Sequence, residues 1–206
     1  MGLDRAAMLH EAETYYLRNR ERQWPQDDQV IPALADLPVT SALEIGAGDG
    51  GRLRRLADQH GCQIEGIEAS LTAVFDAEQA GVQVHLGVAP DDLYTLESGK
   101  YDVIVIGFCM YLMSRSDLFT LAAETNRLLV DDGHLVVRDF LYPRPLSKTY
   151  SHDPSRRIHK GDPSAPWTWS PQYVLVKRLQ EIGGQPQDWQ TVDVLRKLPE
   201  GTALWD

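Results

Sequence analysis

Through residues 3–23 apolar side chains recur three or four positions apart, and Met8, Leu9, Ala12, Tyr15 and Tyr16 fall on one face. That spacing predicts an amphipathic helix, stopped by Trp24-Pro25. A shorter helix is expected over 29–36, before Pro38. From residue 41 short apolar runs alternate with helical spacing. Strands are expected over 41–46, 62–67, 82–86, 101–107 and 133–140, and helices over 50–60, 70–80 and 116–129. Gly61, Gly81, Gly99 and Gly133 punctuate the joints. After Phe140 the pattern gives way to a Pro-rich, basic loop through Pro171. A last helix is expected over 171–182, with Val174, Leu175 and Leu179 as its core-facing stripe. Gly183-Gly184 then leads to a strand near 188–195.

Runs rich in Val and Ile, without polar alternation, suit strands covered on both faces, and strands alternating with helices build a parallel sheet. The expected fold is therefore α/β: a doubly wound, Rossmann-like, mostly parallel seven-stranded sheet with helices on both faces. In such sheets ligands bind beyond the carboxyl ends of the strands, beside the first. The segment 41–53, and with it Glu68, Val88, Phe108 and Asp139, falls at such ends.

The length, 206 residues, fits one domain with a full core. Apolar content of 43% and charged content of 24% are those of an ordinary globular protein. No apolar run approaches the ~20 residues that span a bilayer, and the first residues are too polar for a signal peptide. Cys62 and Cys109 lie in apolar runs and form no CxxC pair. They are expected to be reduced core thiols of a cytoplasmic protein, and no metal site is expected. A net charge of −10 argues against nucleic acid as the main partner. The charge is uneven, however. Residues 141–160 carry five Arg or Lys against one Asp, leaving the remainder at −14.

The stretch "SALEIGAGDGGRL", residues 41–53, holds two overlapping patterns. Gly46, Gly48 and Gly51 spell G-x-G-x-x-G, which would cradle a dinucleotide pyrophosphate on a helix N-terminus. Glu44 with Gly46, Gly48 and Gly50 spells E-x-G-x-G-x-G. A carboxylate at Glu44 would repel a pyrophosphate, whereas S-adenosylmethionine carries an ammonium and a sulfonium and no phosphate. Glu68, 18 residues beyond Gly50, ends the second strand and is placed to accept two ribose hydroxyls, which both ligands offer. Glu44 therefore decides for S-adenosylmethionine.

Four ordered segments resemble the class I S-adenosylmethionine-dependent methyltransferases: "ALEIGAGDGGRL", "IEGIEAS", "KYDVIVIGFCMYL" and "NRLLVDDGHLVVRDF". The resemblance covers roughly residues 40–140 and implies S-adenosylmethionine as cofactor. By it, Gly46, Ala47, Gly48 and Gly50 surround the methionyl part, Glu68 and Ala69 the ribose, and the segment around Val88 and Ala89 the adenine. Phe108 and Cys109, from the fourth strand, flank the sulfur and adenine. Where the family often has Gly-Asp after the third strand, this chain has Gly87-Val88-Ala89, so the adenine contact falls to a backbone carbonyl or to Asp91 or Asp92. "GFCMYLMSRSDLF" and "TWSPQY" also resemble a small-molecule subgroup of polysaccharide and secondary-metabolite pathways.

The resulting division is a helical lid over 1–38, a cofactor-binding core over 39–140, a basic substrate loop over 141–171, and a C-terminal helix and strands over 172–206. Tyr15, Tyr16 and Arg20 are candidate lid residues. Methyl transfer to a hydroxyl would call on His152, His159, Tyr111 or Asp139 as a base. The basic segment suggests a small anionic acceptor held by Arg144, Lys148, Arg156 and Arg157, the last two as a clamp. The expected activity is O-methylation of a small molecule by a monomer or homodimer. The competing classes are a nucleic-acid or protein methyltransferase docking through 141–160, and a pathway scaffold that binds the cofactor without chemistry.

Overall fold

The computed structural model describes residues 5–21, 29–182, 184–185 and 188–202. The helix stop expected at Trp24-Pro25 and the first glycine of the pair at 183–184 lie outside them. In chain order the elements are α1 (Arg5–Asn19), α2 (Val30–Leu34), β1 (Ser41–Ile45), α3 (Gly51–His60), β2 (Gln63–Glu68), α4 (Leu71–Gln79), β3 (Val84–Leu86), β4 (Tyr101–Gly107), α5 (Arg115–Leu128) and β5 (Leu129–Phe140). They continue with β6 (Leu146–Thr149), β7 (Arg157–Lys160), α6 (Ala165–Thr168), β8 (Tyr173–Glu181) and β9 (Gln190–Lys197).

Seven strands form one sheet in the order β3-β2-β1-β4-β5-β9-β8, and β6 and β7 form a separate hairpin. The pairs among β3, β2, β1, β4 and β5 are parallel, whereas β9 runs antiparallel to both β5 and β8. Both faces are covered, and the alternation along β4 shows how. Ile104 and Ile106 pack with Leu121 and Leu128 of α5, while Val103 and Val105 pack with Val30 and Leu34 of α2 and Leu56 of α3. Local chemistry starts the helices where the sheet needs them. Ser70 Oγ accepts the Ala73 amide at the head of α4. Ser114 and Asp117 cap each other reciprocally at the head of α5.

Two sequence expectations are corrected. Residues 171–182 are not a helix: β8 spans Tyr173–Glu181. The positions of Val174, Leu175 and Leu179, the last two four apart, suited one face of a helix, but pairing with the buried strand β9 satisfies the backbone instead. Val174 and Leu175, expected in the core, are 43% and 37% exposed on this edge strand. The segment 141–171 is not a plain loop either. It holds the β6–β7 hairpin and the short helix α6, whose Trp167 is buried against the core and donates its indole N–H to Thr125 Oγ1 at 3.0 Å. Among the described residues no helix is long and apolar enough to cross a membrane, and no group of His, Cys, Asp or Glu could hold a metal ion.

Candidate functional site

A cavity of about 460 Å³ opens at the carboxyl ends of β1, β2 and β4, with α1 across it. Most residues expected to hold the cofactor line it: Glu44, Gly46, Ala47 and Gly48 from β1 and its loop, Glu68 and Ala69 from β2, Val88 and Ala89 after β3, and Phe108 and Cys109 after β4. Gly50 is not among the lining residues. It stands at the N-cap of α3, where its backbone packs against Val82.

The glycine loop is held from β2. The Gly46 and Ala47 amides both donate to Ile67 O (2.9 and 3.2 Å). Glu68 Oε2 accepts the Gly48 amide at 2.9 Å, and its Oε1 accepts the Ser70 amide at 2.8 Å. Burial is the main influence on this carboxyl and raises its pKa, partly opposed by those amides. The Gly48 and Ser70 amides, with a further pull from the Ala69 amide, take up part of about four lone-pair positions, so the carboxylate keeps acceptor capacity toward the cavity. A Cβ placed on Gly48 would meet nothing within 4 Å. Open space beside a glycine and a carboxylate with capacity to spare fit an adenosine-bearing ligand carrying ribose hydroxyls.

Glu44 differs from expectation in its partner. It is 1% exposed, and its Oε1 pairs with the Arg52 guanidinium. Gly107 leaves the room for that guanidinium, since a Cβ there would lie 2.8 Å from Arg52 Nη1. Glu44 is therefore charge-compensated, which weakens its value as a discriminator between ligands. Asp92 also has a task of its own. Its Oδ2 accepts the Val88 amide at 2.7 Å and pairs with Arg5 at 2.6 Å, bracing the turn beside Val88 and Ala89. Phe108 adopts φ +51°, with the Arg138 guanidinium 5.0 Å above its ring. Burial pushes the Cys109 thiol far up, so it serves as packing and not as a nucleophile.

Helix α1 is tied down on both sides of the cavity. Tyr16 Oη and Arg20 donate to Asp76 of α4 at 2.7–2.8 Å, and Ser70 Oγ donates to Glu13 at 2.7 Å. On the other side Tyr150 Oη donates to Glu11 Oε1 at 2.9 Å and Arg156 donates to Ala7 O at 2.8 Å. Tyr16 lines the cavity, as do Met8, Glu11, Ala12 and Tyr15, whereas Arg20 does not.

The candidate bases separate. Tyr111 lines the cavity, but burial drives its phenol pKa far upward, which suits a hydrogen-bonding group and not a base. Asp139 is 2% exposed and outside the lining. It accepts the Met110 and Phe140 amides at 3.1 and 2.7 Å and so shapes the turn that carries Tyr111. His152 is exposed, with its ring against Tyr150, and His159 is exposed on the outer face of β7; neither lines the cavity.

The basic segment does not form one patch. Strand alternation sends its charges to opposite faces. Arg156 is buried against Asp153 and Glu11 beneath α1, and Lys160 is buried over the Phe140 ring. Arg157 is exposed and bonded to Ser147, and Arg144 is exposed. None of these, nor Lys148, lines the cavity. Arg156 and Arg157 are thus no clamp. The sequence reading missed Glu11, Arg52, Arg55 and Arg138 in the lining. Glu11 alone had a usable signal, its place beside Met8, Ala12 and Tyr15 on one helical face.

A family model described as a methyltransferase domain matches residues 8–174. Among curated protein sequences none matches. Among solved structures the chain is similar to the 1,6-didemethyltoxoflavin-N1-methyltransferase of Burkholderia thailandensis with bound 1,6-didemethyltoxoflavin and S-adenosylhomocysteine. That likeness has 15% identity and a TM-score of 0.71, covering 94% of this chain and 89% of that one. It is also similar to the N-methyltransferase NodS of Bradyrhizobium japonicum WM9 in complex with S-adenosylhomocysteine (18% identity, TM-score 0.64, 90% and 98% covered). At such identities the likeness is one of fold.

Proposed function

The chain belongs to the methyltransferase-domain family, and from that premise we propose that it methylates an oxygen of a small molecule held beneath α1, with S-adenosylmethionine at the glycine loop. As an S-adenosylmethionine-dependent methyltransferase it shares its fold with enzymes crystallised with S-adenosylhomocysteine. The observation that carries the proposal is the continuity of one cavity from Gly48 and Glu68 to the aromatic surface of Phe108 and Tyr111.

When bound, S-adenosylmethionine supplies an electrophilic methyl group on a positively charged sulfur. The residues of the chain do the rest. Glu68 offers its remaining acceptor positions to the ribose hydroxyls. The backbone at Val88 and Ala89 borders the adenine, because Asp92 is engaged with Val88 and Arg5. Phe108 and Cys109 border the transfer point. Helix α1 closes the cavity and holds the acceptor in line, which is the orientation effect that such a displacement needs most.

Coverage by α1 supports a small acceptor over a nucleic acid or protein. An anionic acceptor has less support than 141–160 promised, since its cations are dispersed and the lining carries four carboxylates against three guanidiniums. Calorimetric titration tests the cofactor assignment. Micromolar binding of S-adenosylhomocysteine and none of NAD is expected; tighter NAD binding would overturn it. Methyl turnover on any small molecule separates the enzyme from a cofactor-binding scaffold.

A further inference from the structure

Beyond the glycine loop the cavity changes character. One face of α1 brings Met8, Glu11 and Tyr15 over it, and the segment after β4 brings Phe108, Tyr111 and Met113. Behind these the aromatic rings form a continuous edge-on series. Phe108 meets Phe140 at 5.6 Å between centroids, Phe140 meets Tyr111 at 5.2 Å, and Tyr111 meets Tyr150 at 6.4 Å. Such a wall suits a flat aromatic face or edge. In it Glu11 is the carboxylate, only 6% exposed.

The contacts of Glu11 leave it incompletely used. Oε1 accepts the Tyr150 hydroxyl at 2.9 Å. Oε2 lies 3.7 Å from Arg156 Nη1, an ion pair beyond hydrogen-bonding distance. Arg156 turns its shorter contacts elsewhere, to Asp153 at 2.7 Å and to Ala7 O at 2.8 Å. Arg138 also reaches the lining, with its guanidinium over the Phe108 ring. A buried carboxylate is costly unless its acceptor positions are filled, and a ligand that donates a hydrogen bond fills one.

We propose that the chamber between α1 and the Phe108–Tyr111 wall takes a flat, hydroxylated aromatic acceptor whose hydroxyl donates a hydrogen bond to Glu11. This rests on the methyltransferase proposal for the use made of the chamber, and its recognition rests on the chamber itself. Glu11 then sets specificity: it accepts from a hydroxyl, has nothing to offer a methyl ether, and repels a phosphate. Discrimination of this kind is strong because the wrong ligand leaves a buried acceptor unpaired.

Three coumarins that differ only at one oxygen test the assignment: 4-methylumbelliferone, its 7-methyl ether and its 7-phosphate. Each is titrated by fluorescence into the 206-residue chain with and without S-adenosylhomocysteine. The hydroxyl form is expected to bind at least tenfold more tightly than the ether or the phosphate. Glu11→Gln should cut that preference about tenfold and leave binding of the ether unchanged. Tyr150→Phe breaks the tether between Tyr150 and Glu11 but keeps the carboxylate, so the preference should survive. Loss of the preference equally in both variants would make Glu11 a structural tether and overturn the proposal. So would equal binding of hydroxyl and ether by the parent protein, or tightest binding of the phosphate. Affinity for S-adenosylhomocysteine is measured in each sample. If it is normal while the coumarins fail, the acceptor assignment falls alone; if it is absent from the parent protein, the methyltransferase proposal falls instead.

Discussion

Glu68, at the end of β2, accepts the amide of Gly48, in the loop after β1, at 2.9 Å. One side chain thus joins the two segments expected to hold opposite parts of the cofactor. The same carboxylate accepts the Ser70 amide at 2.8 Å, linking the loop also to the head of α4. Under the proposed function the group that shapes the loop would also meet the ribose.

Replacing that group should therefore have a compound effect. Glu68→Ala is expected to weaken S-adenosylhomocysteine binding by about 1.5–3 kcal/mol, the scale for losing a charged hydrogen-bond partner. Glu68→Gln keeps the shape and one acceptor oxygen and should lose less. Calorimetry on folded variants checks both. Parent-like affinity in the alanine variant would move the ribose contact elsewhere.

Gly48 and Gly50 share a left-handed backbone, φ +55° and +71°, but face different surroundings. A Cβ on Gly50 would stand 2.7 Å from Val82 Cγ1, whereas one on Gly48 meets nothing within 4 Å. Gly50→Ala should lower stability by roughly 2–4 kcal/mol through backbone strain plus overpacking. Gly48→Ala should cost only about 1–2 kcal/mol of strain and instead impair cofactor binding, because its methyl enters the cavity. Urea unfolding paired with ligand titration distinguishes them; equal stability losses would contradict the packing difference.

Much of this was legible in the chain. The buried strands β1, β2 and β4 read as apolar runs because helices cover both faces, and the glycine loop followed from alternate glycines after such a run. Legibility ended where partners are remote in sequence. Arg52 beside Glu44 depends on the room at Gly107, and Glu11 beside Tyr150 depends on a contact between residues 139 apart. The strand β8 was misread because Val174, Leu175 and Leu179 satisfy helical spacing, and only pairing with β9 decides the matter. The basic island dissolved for a similar reason. Five cations close in sequence look like one patch until a hairpin turns Arg156 and Lys160 inward and Arg157 outward.

The contacts of α1 with α4 hold it across the cavity. Asp76 receives both the Tyr16 hydroxyl and the Arg20 guanidinium, and the Tyr16 bond is the first reason its carboxyl lies below the ordinary range. These contacts are near the surface, so Asp76→Ala should change the melting temperature little. It should nonetheless speed hydrogen exchange in α1 and raise the dissociation rate of S-adenosylhomocysteine several-fold. Stopped-flow release measures the rate, and parent-like release despite faster exchange would show that α1 does not control access.

Asp139 carries the pH dependence. Burial raises its carboxyl pKa from 3.8 to about 7, against the pull of the Phe140 and Met110 amides and of Lys160. An unfolded chain gives up this proton near 3.8, so between that pH and about 7 the folded state holds a proton that the unfolded state lacks. Stability conferred by the protonated group is therefore full at the acid end and is lost as pH rises toward 7, by at most on the order of 4 kcal/mol. Lys160, whose pKa is lowered chiefly by burial, the buried Tyr111 and the partly buried Cys109 face the same region. A variant that removes only the carboxyl charge isolates the effect. Asp139→Asn should resemble the parent most closely near pH 4, gain on it steadily up to about pH 7 and hold that lead above, because over this range the unfolded parent releases a proton that the folded parent keeps. Urea unfolding of both proteins at several pH values measures the difference. A constant gap across that range would mean that Asp139 ionises normally in the fold, and the turn carrying Tyr111 would then rest on a permanently charged carboxylate.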